Sequence, residues 1–100
     1  MTAIDHIVLV QWAESATIAA RDEVRAKVRD FVTTIAGVDS VTEGPSVSTE
    51  GLERAHDYGF IVRFTTVDAR DAYLPDPVHL DVADLIGANA ANVTVFDIAR

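Results

Sequence analysis

His6, His56 and His79 are the only side chains of this 100-residue chain whose ordinary ionisation falls near neutrality. A histidine with one ring nitrogen free is the natural base for taking a proton next to a carbonyl, provided a neighbour orients the ring. His79 has two such neighbours in sequence. Tyr73 precedes it across a proline break, and Asp76 stands one helical turn before it, on the same side. The plainer reading of these residues makes Asp76 a helix N-cap and His79 a polar first-turn residue at a barrel mouth. His6 alternates with Ile4, Val8, Val10 and Trp12, so it is either a satisfied structural histidine or a group facing a lumen. His56 lies in a polar loop beside Asp57 and reads as solvated.

Other chemistries find little support. The chain has no cysteine, which excludes a thiolate nucleophile, a disulfide, an iron–sulfur cluster and a Cys-type zinc site. The histidines show no His-x-x-x-His spacing and no pair of Glu-x-x-His helices, so no metal site is expected. A haem needs only one axial histidine, but the chain is short for it. The one lysine, Lys27, sits among Arg25, Arg29 and Asp30 on a charged helix face, an unsuitable place for a Schiff base. Gly44, Gly51 and Gly59 form no phosphate-binding pattern, and no serine sits in a nucleophile elbow. No cofactor is therefore expected. A net charge of −8 opposes binding to nucleic acid and to anionic membranes. The first residues lack a basic leader region, and no apolar run approaches the ~20 residues of a membrane-spanning helix. The cytoplasm is the default compartment.

The elements that must position these residues follow from periodicity. Ile4 to Trp12 alternates as a strand with apolar groups on both faces. Ser15 to Ala36 reads as a helix burying Val24, Val28, Phe31, Val32 and Ile35, with Gly37 after its last turn. Val38 to Ser48 is an irregular strand, placed at an edge by Pro45. Asp57 to Thr66 is a strand with Tyr58, Phe60, Val62 and Phe64 on one face. Asp68 caps a short helix to Leu74, and Asp76-Pro77 opens another over Val78 to Ala88, burying Leu80, Ala83 and Ile86 or their neighbours. Asn92 to Ile98 forms the last strand. This β-α-β-β-α-β order, with the second helical region split, predicts one α+β domain over residues 1–100, a ferredoxin-like four-stranded antiparallel sheet with helices on one face. A domain this size buries only about two thirds of its unfolded surface. The bare second face therefore calls for a partner, most simply a second copy of the chain.

Three segments carry a resemblance: His6-Ile7-Val8-Leu9-Val10, Tyr58-Gly59-Phe60-Ile61-Val62-Arg63-Phe64, and Asp71-Ala72-Tyr73-Leu74-Pro75-Asp76-Pro77-Val78-His79. With the element order, they resemble the stress-responsive α/β-barrel domain family of the dimeric α+β barrel superfamily. The resemblance implies a homodimer whose sheets close face to face around a ligand-sized lumen, with helices outside. It also implies, from plant polyketide cyclases of the family that perform an intramolecular aldol condensation without a cofactor, that His79 is a general base, Tyr73 assists it, and His6 lies in the pocket. Asp76 stands where those cyclases have a further histidine. Val8, Trp12, Tyr58, Phe60 and Phe64 are the expected apolar lining, though aromatic residues at strand spacing also make plain interface core. The function expected is binding of a small apolar or phenolic molecule. The alternative is a cyclase or isomerase using His79 and Tyr73, and a cofactor-independent monooxygenase trails both.

Overall fold

The computed structural model describes residues 2–100. The chain runs β1 (Ile4–Trp12), α1 (Ile18–Thr34), β2 (Val38–Pro45), β3 (Tyr58–Phe64), α2 (Val67–Tyr73), α3 (Pro77–Asn89) and β4 (Ala90–Ala99). The strands form one antiparallel sheet in the order β2-β3-β1-β4, the ferredoxin-like arrangement that the element order predicts. β2 is an edge strand, as Pro45 requires, and its register slips between Val38 and Ser40.

Local chemistry explains the helix starts. The Thr17 hydroxyl accepts from the Ala20 N–H at 3.0 Å and opens α1. Thr66, not Asp68, caps α2, accepting from Ala69 at 3.1 Å. Asp76 caps α3 through the Val78 N–H at 2.8 Å, with Pro77 in the first turn, where a missing N–H costs nothing.

The helices cover the sheet face built by Ile4, His6, Val8, Val10 and Trp12 of β1 and by Tyr58, Phe60, Val62 and Phe64 of β3, all of them buried. Val24, Val28 and Phe31 of α1 and Val82 and Ile86 of α3 close on this face. Three expected core positions differ: Val32, Leu80 and Ala83 are exposed, because the buried stripes of α1 and α3 run through Val28–Phe31 and Val82–Ile86 instead. The opposite face is bare. It carries Ile7 and Leu9 beside Ile61, Phe96 and Ile98, and Phe96 is 63% exposed.

Gly37 lies tightly against α2. Its φ is +85°, and a Cβ there would lie 2.6 Å from the Cβ of Ala69 on α2. Gly37→Ala should therefore destabilise the fold by about 1–3 kcal/mol, read from urea unfolding. Adding Ala69→Gly should recover the steric part of that loss and leave the backbone part.

Candidate functional site

His6, Tyr73 and His79 come together, but not between two sheets. They lie on the helix-covered side, so the expected placement of the lumen is corrected: the cavity lies inside one chain, between sheet and helices. The reason is that both faces of β1 are apolar, and alternation alone does not decide which face the helices take. The cavity has a volume of about 260 Å³. An apolar cavity of about 150 Å³ already takes up benzene, so a substituted ring fits here. Of the expected lining, Val8 and Phe60 do face the cavity, along with His6, Tyr73 and His79. Trp12, Tyr58 and Phe64 do not line it. Trp12 and Tyr58 stack on each other at 5.4 Å, with Arg21 over one ring and Arg25 over the other, and Phe64 packs under Tyr73. The lining that sequence reasoning missed comes from Phe31, Val82 and Ile86.

Tyr73 is the centre of the aromatic packing. Its ring is 4.9 Å from Phe64, 5.5 Å from Phe31 and 5.5 Å from His6, all edge-on, and only 4.1 Å from His79. Burial, with a smaller contribution from the Asp97 charge, raises the pKa of its hydroxyl above the ordinary tyrosine value. At neutral pH it is a proton donor rather than a base.

Each histidine of the cluster has its Nδ1 engaged. His6 is buried, and its Nδ1 lies 2.6 Å from Asp97 Oδ1 on the neighbouring strand. A carboxylate only accepts, so Nδ1 carries a proton, and in the neutral ring Nε2 is the accepting nitrogen. Among the described residues no side chain or backbone group bonds that Nε2. His79 Nδ1 donates to the Leu74 carbonyl at 3.0 Å, which likewise leaves its Nε2 free to accept. Burial lowers the pKa of His79 below the ordinary histidine value, and the nearby His6 adds to the shift, while the Leu74 carbonyl and Asp76 oppose it.

Asp97 is the partner of the site that sequence reasoning missed. Its sequence signal was a carboxylate alternating with Val93 and Val95 on an apolar strand face; the register then sets it directly opposite His6. Its second oxygen holds Arg70 of α2 at 2.7 Å. His56 is also corrected. It is not merely solvated, for its ring bridges the Glu53 carbonyl at 2.8 Å and the Thr94 hydroxyl at 2.9 Å, tying the loop to β4.

A larger hollow of about 390 Å³ opens on the other side, around Ile7, Leu9, Pro45 and Ile61. Its charged lining is already spent: Glu43 pairs with Arg25 and Arg29, and Glu53 accepts from Ser46. The helix-side cavity is the one with free acid–base groups. Among the described residues, no three His, Asp or Glu side chains converge as a metal-binding group, and no helix is long and apolar enough to cross a membrane.

Residues 4–99 match the model of the stress responsive A/B barrel domain. The chain belongs to that family. Its fold as a stress responsive A/B barrel domain is shared by the hydroxynitrile lyase from Passiflora edulis, with a TM-score of 0.90, 13% identity, and 98% of this chain and 93% of that one covered. It is shared too by dimeric ferredoxin-like proteins from Jannaschia sp. CCS1 and Thermobifida fusca YX. The first has a TM-score of 0.86 at 23% identity, covering 96% of this chain and 97% of that one. The second has a TM-score of 0.84 at 18% identity, covering 99% and 92%. At such identities the likeness is one of fold. No curated protein matches the chain.

The lowered pKa of His79 has a consequence for stability. The native state binds fewer protons at this site than the unfolded chain does. The stabilising contribution is therefore complete above the unfolded value of about 6.5 and is lost as pH falls from there through the lower native value. Urea midpoints should fall more steeply through this range in the native protein than in His79→Gln, and parallel curves would show that His79 is not the group responsible.

Proposed function

We propose that this domain is a homodimer whose helix-side cavity binds a small, mostly apolar carbonyl or phenolic compound and removes a proton from it. The observation that carries the reading is the convergence of two histidines, each with Nδ1 tied and Nε2 free, on one apolar cavity beside a neutral tyrosine. The resemblance drawn from sequence gives the base role to His79. The geometry favours His6, because the Asp97 carboxylate behind it stabilises the imidazolium that forms when Nε2 takes a proton, as in the serine-protease arrangement. His79, with a neutral carbonyl behind it and its pKa lowered by burial, stays uncharged and accepts a hydrogen bond from the substrate.

In the step proposed, a C–H bond next to a carbonyl breaks. Its proton passes to His6 Nε2, its electron pair becomes the C=C bond of an enolate, and the carbonyl π pair moves onto the oxygen. The Tyr73 hydroxyl donates to the oxygen on which negative charge grows. Intramolecular aldol closure of a polyketide-like chain is one reaction that such an enolate undertakes, and the proton then returns from His6 to the product. The Passiflora edulis neighbour is by name a hydroxynitrile lyase, which is compatible with this reading at the level of reaction class.

The test is deuterium uptake at the α-carbon of a panel of small aryl ketones and β-diketones in D2O, followed by proton NMR. His6→Ala should slow the catalysed exchange by about 10²-fold or more, with His79→Ala less severe, and Tyr73→Phe should cost about 10²-fold. Equal catalysed exchange with wild type and His6→Ala would overturn His6 as the base, and no exchange above the protein-free rate would reduce the proposal to binding alone.

The dimer is supported by the dimeric neighbours and by the bare face of Ile7, Leu9, Ile61, Phe96 and Ile98. Sedimentation should give a mass near twice 10.8 kDa. Phe96→Asp combined with Ile61→Asp should yield a monomer with its helical signal retained, and a wild-type monomer at micromolar concentration would overturn the assembly.

A further inference from the structure

We infer that Arg70 is a positioning residue: by gripping Asp97 from α2 it fixes the rotamer of that carboxylate, and through it the proton and the ring orientation of His6. The proposal rests on the reading of His6 as the working base, but its first measurement does not.

Three contacts in series carry it. His6 Nδ1 meets Asp97 Oδ1 at 2.6 Å, Asp97 Oδ2 meets Arg70 Nη1 at 2.7 Å, and Arg70 Nε meets Asp71 Oδ1 at 2.8 Å. The two oxygens of Asp97 are thus held from two different elements, β1 on one side and α2 on the other. Asp97 needs this second anchor. It stands on the edge strand β4, whose residues are exposed or half-buried, and its side chain is 27% exposed. A carboxylate there with one hydrogen bond is free to rotate toward water, and His6 would then be left buried without a fixed partner for Nδ1. The planar guanidinium suits the task because its Nε and Nη donors point in set directions and address two carboxylates at once.

Arg70 also links the two halves of the cluster. It precedes Tyr73 on α2 by a spacing that puts both side chains on one face of that helix. The element that brings the tyrosine ring against His6 and His79 is therefore the element that clamps Asp97, so the distance between donor and base is set by a single rigid piece. Arg70 itself does not line the cavity, and it has no part in binding the substrate.

The test uses the full chain labelled with ¹⁵N at histidine, with the wild type, Arg70→Met and Arg70→Lys compared by long-range ¹H–¹⁵N NMR. In the wild type, His6 should show one species with the proton on Nδ1. In Arg70→Met the two ring-nitrogen resonances should move toward each other as the proton divides between them, and Arg70→Lys should restore the separation in part. Deuterium exchange should slow on the order of 10- to 100-fold in Arg70→Met, the range seen when a partner behind a functional histidine is removed, with kcat lowered and KM unchanged.

A shifted tautomer with slowed exchange supports both the positioning role and the base assignment. A shifted tautomer with unchanged exchange supports the positioning role while overturning His6 as the base. An unchanged tautomer in both variants overturns the proposal, since Asp97 then positions His6 unaided. If Arg70→Met does not fold, Arg70→Lys decides alone: it keeps the charge and the aliphatic stem but loses the two-way geometry, so an unshifted His6 in that variant overturns the proposal as well.

Discussion

A four-stranded sheet has two faces, and the helices of a 100-residue chain suffice to cover one of them. Everything else in this domain follows from which face they take. They close over the side with His6, Val8 and Phe60, so the only buried histidine lies in the chain's own core and must be satisfied there. They leave the side with Ile7, Leu9, Ile61 and Phe96, so the apolar surface that remains is broad and clear of the acid–base groups of the cavity. The cavity and the bare apolar surface thus lie on opposite faces of the same strands. Residues next to each other in sequence, His6 and Ile7, point to the two sides.

Burying an imidazole is costly unless its polar atoms find partners. Asp97 satisfies one nitrogen of His6, at a position fixed by the antiparallel register of β1 and β4 rather than by any side-chain preference. The carboxylate brings a charge with it, and that charge must be neutralised or wetted in turn. Arg70 neutralises it from α2 while Asp71, more than half exposed, faces water. The series therefore runs from a buried ring to a solvated surface group, and the Asp97 charge meets Arg70 on its way out. Tyr73 needs no such series. Its neighbours are rings, and its hydroxyl, kept protonated by burial, is the polar tip of an otherwise apolar body.

The element order and the strand periodicities were legible because each rests on local alternation or on a cap: the run from Ile4 to Trp12, the Asp76-Pro77 helix start, and Pro45 marking an edge. Tyr73 and His79 were legible as a pair because a single helix break joins them. Three things were not. The covered face of β1 depends on what the helices pack against, and both faces are apolar. The pairing of His6 with Asp97 spans nearly the whole chain and is set by sheet register, which no spacing encodes. The sequence puts the cap of α2 at Asp68, whereas the backbone places Thr66, two residues earlier, in the extended conformation that a cap needs. Trp12, Tyr58 and Phe64 were assigned to the pocket because they share its face of the sheet. A shared face fixes only direction, and rings at other heights along the strands pack against Arg21, Arg25 and Tyr73 instead.

The two histidines of the cavity illustrate how unlike partners divide similar side chains. Both present a free Nε2, and both hold Nδ1 in a hydrogen bond. Behind His6 stands a carboxylate, which gains interaction energy when the ring becomes a cation. Behind His79 stands a carbonyl dipole, which gains far less, while burial and the proximity of His6 oppose the charged form. In the proposed step the proton therefore passes toward the β1 side, away from α3. Two equivalent bases facing one small cavity would compete for that proton and repel each other once either took it. Unequal backing removes the competition, and in the proposed step it lets one histidine carry the charge while the other accepts a hydrogen bond.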